Sequence, residues 1–323
     1  MNPSDETYDA VAQASAAAVI RGYSTSFGWA CRLLHTSVRA DVRNIYALVR
    51  LADEIVDGPH GAVDPDGAAR RLDDLEASTT EALSSGYSTN LVVHAFALTA
   101  RRYGIDAELV DPFFRSMRAD VHVREHTSES LADYIYGSAE VVGLMCLRVF
   151  LGAAGRTVDW DALAPGASRL GAAFQKINFL RDLAADHDDL GRVYFPGLDV
   201  EHFSDEHKDA LLADIEADLD AADLAIRGLP ANSRAAVAAA HGLFAELTVR
   251  VAATPARELL RTRVRVPGPI KARVLATAVA RSSVQAATSG ATAAGSTGPA
   301  RRGAALGRAR ALVHARSGET RRS

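Results

Sequence analysis

Apolar residues along this 323-residue chain recur at spacings of three and four, and no alternating β-branched run bounded by turn pairs appears in it. That period belongs to helices packing one face on a core, and it leaves no material for a sheet. The expected fold class is all-α. Helices are expected over roughly Tyr8 to Gly22, Val38 to Val56, Asp66 to Leu83, Asn90 to Arg102, Asp106 to His122, Ser128 to Leu151, Asp159 to Leu183, Asp205 to Gly228, Ser233 to Ala253 and Ile270 to Ala287. Helix-stopping residues mark breaks at Gly58-Pro59, Gly86, Gly104, Pro165-Gly166, Pro196-Gly197, Pro230 and Pro267-Gly268-Pro269. None of these is long enough to be a flexible linker.

From Ser289 onward the sequence turns to Ala, Gly, Ser, Thr and Arg with few large apolar residues. Such a segment cannot bury enough surface to offset its ordering entropy. One helical domain, residues 1–288, followed by a basic, low-complexity, disordered tail, 289–323, is the expected organisation. The tail holds Arg301, Arg302, Arg308, Arg310, Arg316, Arg321 and Arg322 against one glutamate, so a chain of net charge −4 has a body near −10. An acidic body argues against nucleic-acid binding. The arginines make the tail a candidate tether to anionic lipid.

Hydrophobic residues make up 48% of the chain and charged ones 24%, an ordinary globular composition. Cys31 and Cys146 suggest neither a disulfide framework nor a zinc site, which suits a reducing cytoplasm. Acids at the start, where a signal peptide needs a basic and then an apolar stretch, speak against export. The longest apolar stretch, Val141 to Ala154, is interrupted by Arg148 and reads as a buried core helix.

Two segments carry chemistry. Asp53 and Asp57 stand one helical turn apart, with Arg50 a turn earlier on the same side. Alone, that pair reads as a solvated acidic face. The second segment holds Gln175, Asn178, Asp182 and Asp186 at successive spacings of three, four and four, one oxygen-rich face flanked by Ile177, Phe179, Leu180 and Leu183. Oxygen ligands without histidine or cysteine suit a hard cation, and Mg²⁺ prefers a few carboxylates completed by substrate phosphate and water. Two such faces across a cavity are a means of holding a diphosphate through bridging metals. Ser24 and Ser26 lack the setting of a hydrolase nucleophile. His122, His126, His187, His202 and His207 read as solvated residues, and Tyr134 and Tyr136 read equally as core aromatics or cavity residues.

Ser24-Thr25-Ser26-Phe27, the Arg50 to Asp57 segment, Tyr134-Ile-Tyr136-Gly137 running to Met145, and Gln175 to Asp186 followed by Gly191-Arg192-Val-Tyr194-Phe-Pro196 resemble, in order, the signatures of the squalene and phytoene synthases. The resemblance spans about residues 20 to 285 and is greatest to the bacterial phytoene synthases. It implies the isoprenoid synthase helical bundle around a central cavity. It also implies metal-binding roles for Asp53, Glu54, Asp57, Asn178, Asp182 and Asp186, and substrate contacts for Ser24, Ser26, Phe27, Tyr46, Arg50, Gln175, Arg181, Arg192 and Tyr194. Asp53, Asp57, Asp182, Asp186 and Tyr134 are the expected catalytic set. Two departures stand out: the stretch between Asp186 and Gly191 is one residue longer than the common pattern, and Glu140-Val141 replaces a frequent Gly-Thr.

The implied activity is head-to-head condensation of two geranylgeranyl diphosphates to phytoene through a cyclopropyl diphosphate. It would depend on Mg²⁺, or Mn²⁺ in its place, and need no NADPH. A tyrosine, a water or the released diphosphate would take the final proton. The alternative enzyme uses C15 substrates to make squalene or dehydrosqualene, and the non-enzymatic alternative is an assembly protein on the same fold. A di-iron bundle is excluded by the lack of Glu-x-x-His pairs, and a terpene cyclase by the lack of its second metal motif. Prenyl diphosphates are the expected partners, with peripheral contact at the inner face of the membrane.

Overall fold

A computed structural model of the chain describes residues 3–23, 26–155 and 158–295. Its elements run α1 Pro3–Tyr23, α2 Ser26–Arg32, α3 Thr36–Asp57, α4 Pro59–Val63, α5 Pro65–Ser85, α6 Leu91–Tyr103, α7 Ala107–His122, α8 Ser128–Ile135, a π-helical turn Tyr136–Glu140, α9 Val141–Gly152, α10 Trp160–Leu190, α11 Asp205–Gly228, α12 Arg234–Ala253, α13 Ala256–Leu259 and α14 Gly268–Gly295. Among the described residues there is no strand, only one parallel bridge between Glu125 and Val193.

Local chemistry sets the helix ends. Asn90 accepts from the backbone N–H groups of Val92 and Val93 to start α6, and Gly104, at φ 67°, ends it. Thr127 and Ser204 open α8 and α11 with reciprocal capping bonds. Asp159 caps α10 through the N–H of Asp161, and Gly191, at φ 62°, closes it in the left-handed region.

The expected break at Pro165-Gly166 does not occur. Pro165 lies inside α10, as Pro112 does inside α7, both in the second turn. There the proline forfeits one intrahelical bond while tertiary packing holds the helix on both sides. The helix also runs past the expected Leu183 to Leu190, so the additional residue before Gly191 is absorbed in its last turn. The last helix crosses the expected boundary at 289, and the rest of the tail lies outside the described residues.

Among the described residues two large cores, and a small alanine cluster of Ala12, Ala16, Ala47 and Ala95, share the bundle. One gathers Val42, Ile45, Leu48, Leu72, Phe96, Phe113, Phe114 and Met145 from α3, α5, α6, α7 and α9. The other gathers Ile177, Phe179, Leu180, Tyr194, Ile215 and Leu259 around α10, α11 and α13. α9 is the expected core helix, with Val141, Leu144, Met145, Leu147, Val149 and Phe150 buried. By length and composition alone, Ser128–Gly152 and Arg234–Ala253 are apolar enough to cross a bilayer. In the fold the first crosses α7 and α10, and α12 lies among α2, α10, α11 and α14.

Glycines let these helices approach closely. A Cβ on Gly137 would fall 2.1 Å from Ser116 Oγ and 2.2 Å from the Pro112 carbonyl oxygen; one on Gly171 would fall 2.6 Å from the Ala139 oxygen, and one on Gly143 2.7 Å from the Ala167 oxygen. The π turn sits at this crossing. Its wider winding takes Tyr134 out of phase with Ser138, which lines the central cavity while Tyr134 turns to α7.

Candidate active site

The last turns of α3 present Arg50, Asp53, Glu54 and Asp57. Arg50 pairs with Glu54, stands 3.9 Å from Asp53, and lies over the Tyr23 ring at 4.3 Å. Partial burial, then the neighbouring Asp57 and Glu54, push the Asp53 carboxyl up to about 7, against the pull of Arg50. The repulsion expected from carboxylates one turn apart is therefore present.

On α10, Asn178, Arg181, Asp182 and Asp186 follow one another, with Gln175 half-buried a turn before Asn178. Burial raises the Asp182 carboxyl, but hydrogen bonds from Arg181 and Arg263 outweigh this and hold it below the usual range. Arg181 grips Asp182 at 2.9 and 2.5 Å, and Arg263, from the loop after α13, at 2.7 and 2.9 Å. Arg181 thus makes an ion pair within its own helix and also borders the cavity. The Asp186 carboxyl is pushed up to about 7 by burial, by Asp182 and by Asp57. The ends of α3 and α10 that carry the two carboxylate faces are linked through one residue, whose backbone N–H donates to the Asp186 carbonyl oxygen at 2.9 Å and whose side chain reaches Asp57.

Arg192 joins them. Its guanidinium donates to Asp57 at 2.7 Å, to the Asp120 carbonyl oxygen at 2.7 Å and to the Tyr194 hydroxyl at 3.2 Å. Asp120, on α7, is 3% exposed and accepts the Tyr134 hydroxyl on both oxygens at 2.8 Å. Burial pushes its carboxyl up to about 8, against the pull of Arg192. The Glu125–Val193 bridge pins the loops after α7 and α10 together, which brings Arg192 and Tyr194 to Asp120. The resemblance did not include Asp120 or Arg263. Asp120 carries no motif, and Arg263 lies 81 residues from the carboxylate it holds.

A cavity of about 860 Å³ opens beside these groups. Arg50, Asn178, Arg181, Arg263, Arg265 and Lys271 border it with polar groups, and Tyr46, Val142, Leu163, Leu170, Phe174 and Phe244 are among its apolar wall. The carboxylates are not among its lining residues and stand beside its polar end. Tyr134 and Tyr194 are also absent from the wall; they are buried in the second core, with the half-buried His126 ring 5.1 Å from Tyr134 and stacked on Tyr194 at 5.9 Å. His126 is thus a loop residue only partly solvated, with both rings beside it; His122, His187, His202 and His207 are exposed as expected. Tyr136 is 40% exposed. Ser24 lies outside the described residues, as do the side chains of Ser26 and Phe27.

The Glu140-Val141 departure falls away from the cavity wall. Val141 is buried in the first core, and Glu140 faces Ser168, Arg169, Asp218 and Lys176 between α10 and α11. Cys31 and Cys146 do line the cavity; burial pushes both thiols up to about 12, which leaves them protonated and unreactive.

The donor set fits a hard divalent cation. Every candidate ligand is an oxygen, two carboxyls are raised by burial and then by their neighbours' negative charge, and the buried Asn178 Oδ1 has no hydrogen-bond partner. Among the described residues no three His, Cys, Asp or Glu side chains close on one point. Such an open arrangement suits Mg²⁺ or Mn²⁺ held by one or two carboxylates each and completed by phosphate oxygens.

Known proteins share this arrangement's sequence and fold. The squalene/phytoene synthase family profile matches residues 20–269. A 15-cis-phytoene synthase of Paracoccus sp. is 32% identical over 190 residues, covering 57% of this chain and 59% of its own length. A 4,4'-diapophytoene synthase of Staphylococcus haemolyticus is 27% identical over 187 residues, covering 58% and 62%. The chain thus matches about three fifths of the length of these two curated relatives. In fold, it is similar to a dehydrosqualene synthase crystal structure with a TM-score of 0.73 at 20% identity, covering 87% of this chain and 99% of that one. A squalene synthase structure from Alicyclobacillus acidocaldarius gives 0.61 at 20% identity, covering 75% and 90%. With the profile spanning most of the chain and the fold that of the isoprenoid synthases, the chain belongs to the squalene/phytoene synthase family.

Proposed function

We propose that this chain is a cation-dependent prenyl transferase that condenses two geranylgeranyl diphosphates head to head, giving phytoene through a cyclopropyl diphosphate. The observation that carries the reading is that Arg192 ties Asp57 on α3 to the end of α10 that carries Asp186, beside the polar end of a large apolar cavity. Anionic and apolar ends of one ligand class find matching surroundings there. The family's phytoene synthases support the choice of product.

In this reading Asp53, Asp57, Asn178, Asp182 and Asp186 would hold Mg²⁺, which when bound neutralises the diphosphate and makes it a leaving group. Arg50, Arg181, Arg263, Arg265 and Lys271 border the same end and would bind the diphosphate oxygens. The apolar wall excludes water from the allylic cation left behind, in a low-dielectric site where fixed charges act most strongly. No side chain is needed as a nucleophile. The reaction ends in proton loss without NADPH.

The wall is long enough for the proposed substrate. The cavity-lining positions of α10 run from Leu163 to Arg181, about 27 Å at 1.5 Å per residue. A C20 isoprenoid has a sixteen-carbon main chain, roughly 19 Å when extended with bonds near 1.5 Å. It fits between the polar end and Leu163. The same reading puts the chain in the cytoplasm against the inner face of a membrane, because substrate tails and product are apolar.

The test offers purified protein C15 and C20 prenyl diphosphates with Mg²⁺, with and without NADPH, and identifies the hydrocarbon by mass. A C40 product independent of NADPH is expected. A C30 product from the preferred substrate, or strict need for NADPH, would overturn the assignment.

A further inference from the structure

Asp120 belongs to none of the motifs, yet it touches Tyr134, Tyr194 and Arg192, three residues that do. Its carboxyl accepts the Tyr134 hydroxyl on both oxygens and the Tyr194 hydroxyl at 3.4 Å, and stands 3.7 Å from the Arg192 guanidinium. Its backbone carbonyl accepts Arg192 from the other side, at 2.7 Å. Arg192 is 3% exposed and its Nε has no hydrogen-bond partner, so its orientation rests on Asp120, Tyr194 and Asp57. One residue of α7 therefore orders side chains from α8 and from the loop after α10, and through Arg192 reaches the end of α3.

Stability alone does not account for this. An apolar group of the same shape in place of a buried, partly paired carboxyl is often neutral or stabilising. The surroundings are otherwise apolar and aromatic, with Phe179 stacked on Tyr194 at 3.9 Å. The carboxyl charge 3.7 Å from the Arg192 guanidinium acts together with the backbone carbonyl bonded to it at 2.7 Å to hold Arg192 toward Asp57.

We propose that Asp120 is the positioning residue of the active site: it orients Arg192 toward Asp57 and locks Tyr134, without itself touching substrate. This rests on the prenyl transferase reading for its catalytic consequence, though not for its structural one.

The experiment is a double-mutant cycle of Asp120→Asn with Arg192→Gln, followed in two ways. In steady-state kinetics with Mg²⁺ and prenyl diphosphate, D120N is expected to lose about 10- to 100-fold in kcat while KM changes less than about threefold, the loss of an oriented contact in the transition state. The double variant is expected to be no slower than R192Q, because residues acting as a unit are not additive. A D120N kcat within twofold of wild type, or losses that multiply, would overturn the proposal. In denaturant unfolding of the same four proteins, the double variant is expected to be no less stable than the weaker single variant, and strictly additive losses would also overturn it. Should the wild-type chain release no diphosphate from any prenyl diphosphate, the functional reading fails, and the unfolding cycle still decides whether Asp120 holds Arg192.

Discussion

Burial, and then a neighbouring aspartate, push the carboxyls of Asp53 and Asp186 up to about 7 from the usual 4. The folded-state value exceeds the unfolded one, so the native state binds extra protons between those two pH values. Their stability contribution is complete below about pH 4 and is lost as pH rises through about 7. Cation-free protein is therefore expected to melt at a lower temperature at pH 7.5 than at pH 5, with a smaller fall in an Asp53→Asn/Asp186→Asn variant; equal falls would contradict the assignment. Singly, Asp53→Asn, Asp57→Asn, Asp182→Asn and Asp186→Asn are expected to fold and to lose about 10²- to 10³-fold in turnover, the usual effect of one well-placed electrostatic contact. Near-wild-type rates in two of them would remove the metal-site assignment. These four were legible because helical spacing and motif order both point at them. Asp120 and Arg263 were not, because each acts by reaching across the chain from a segment whose local pattern is that of an ordinary helix or loop. Tyr134 was legible as a site residue, but its sequence does not reveal that the hydroxyl is turned to Asp120 and away from the cavity wall.

At the scale of elements, the close crossing of α7 by the π turn is the feature most exposed to test. Gly137→Ala would drive a Cβ against a backbone carbonyl that cannot move alone, and overpacking of this kind costs about 1–3 kcal/mol. Gly22→Ala is the control: nothing lies within 4 Å of its Cβ position on α1, and relief of glycine's helix cost is expected to stabilise by about 0.5–1 kcal/mol. Thermal melts should move in opposite directions, and a Gly137→Ala protein as stable as wild type would mean the crossing is looser than described. Sequence periodicity located the long helices to within a few residues at most ends, since caps such as Asn90 and stops such as Gly104 are written locally. It missed α2, α4 and α13, which are too short to show a period, and the π turn, whose widening depends on contact with α7. Pro165 misled because a proline signals a break only where no neighbour holds the helix together.

For the whole molecule, the account is of an apolar tunnel with a charged entrance. Phe174 and Phe244 stack face to face at 3.8 Å, from α10 and α12, and both line the cavity. They stand about a third of the way from Arg181 toward Leu163. Because the tail passes this pair on its way toward Leu163, Phe244→Ala is expected to lower kcat/KM for the C20 diphosphate by about tenfold, in line with the about 1–3 kcal/mol that lost fit costs in an apolar pocket; an unchanged kcat/KM would show that the tail does not pass the pair. The central cavity was expected from the family resemblance, but its wall was not legible, because part of it is assembled from small residues such as Ala30, Gly143, Ala167 and Gly171 that read locally as helix filler. The central claim is that two carboxylate faces grip a diphosphate through cations while its tail runs along α10. It is tested most directly by a crystal structure with Mn²⁺ and a non-ionisable geranylgeranyl thiodiphosphate, using the anomalous signal of manganese. Peaks between Asp53/Asp57 and Asn178/Asp182/Asp186, with the tail passing Phe174 toward Leu163, are predicted. Manganese elsewhere, or a tail outside the cavity, would contradict the account.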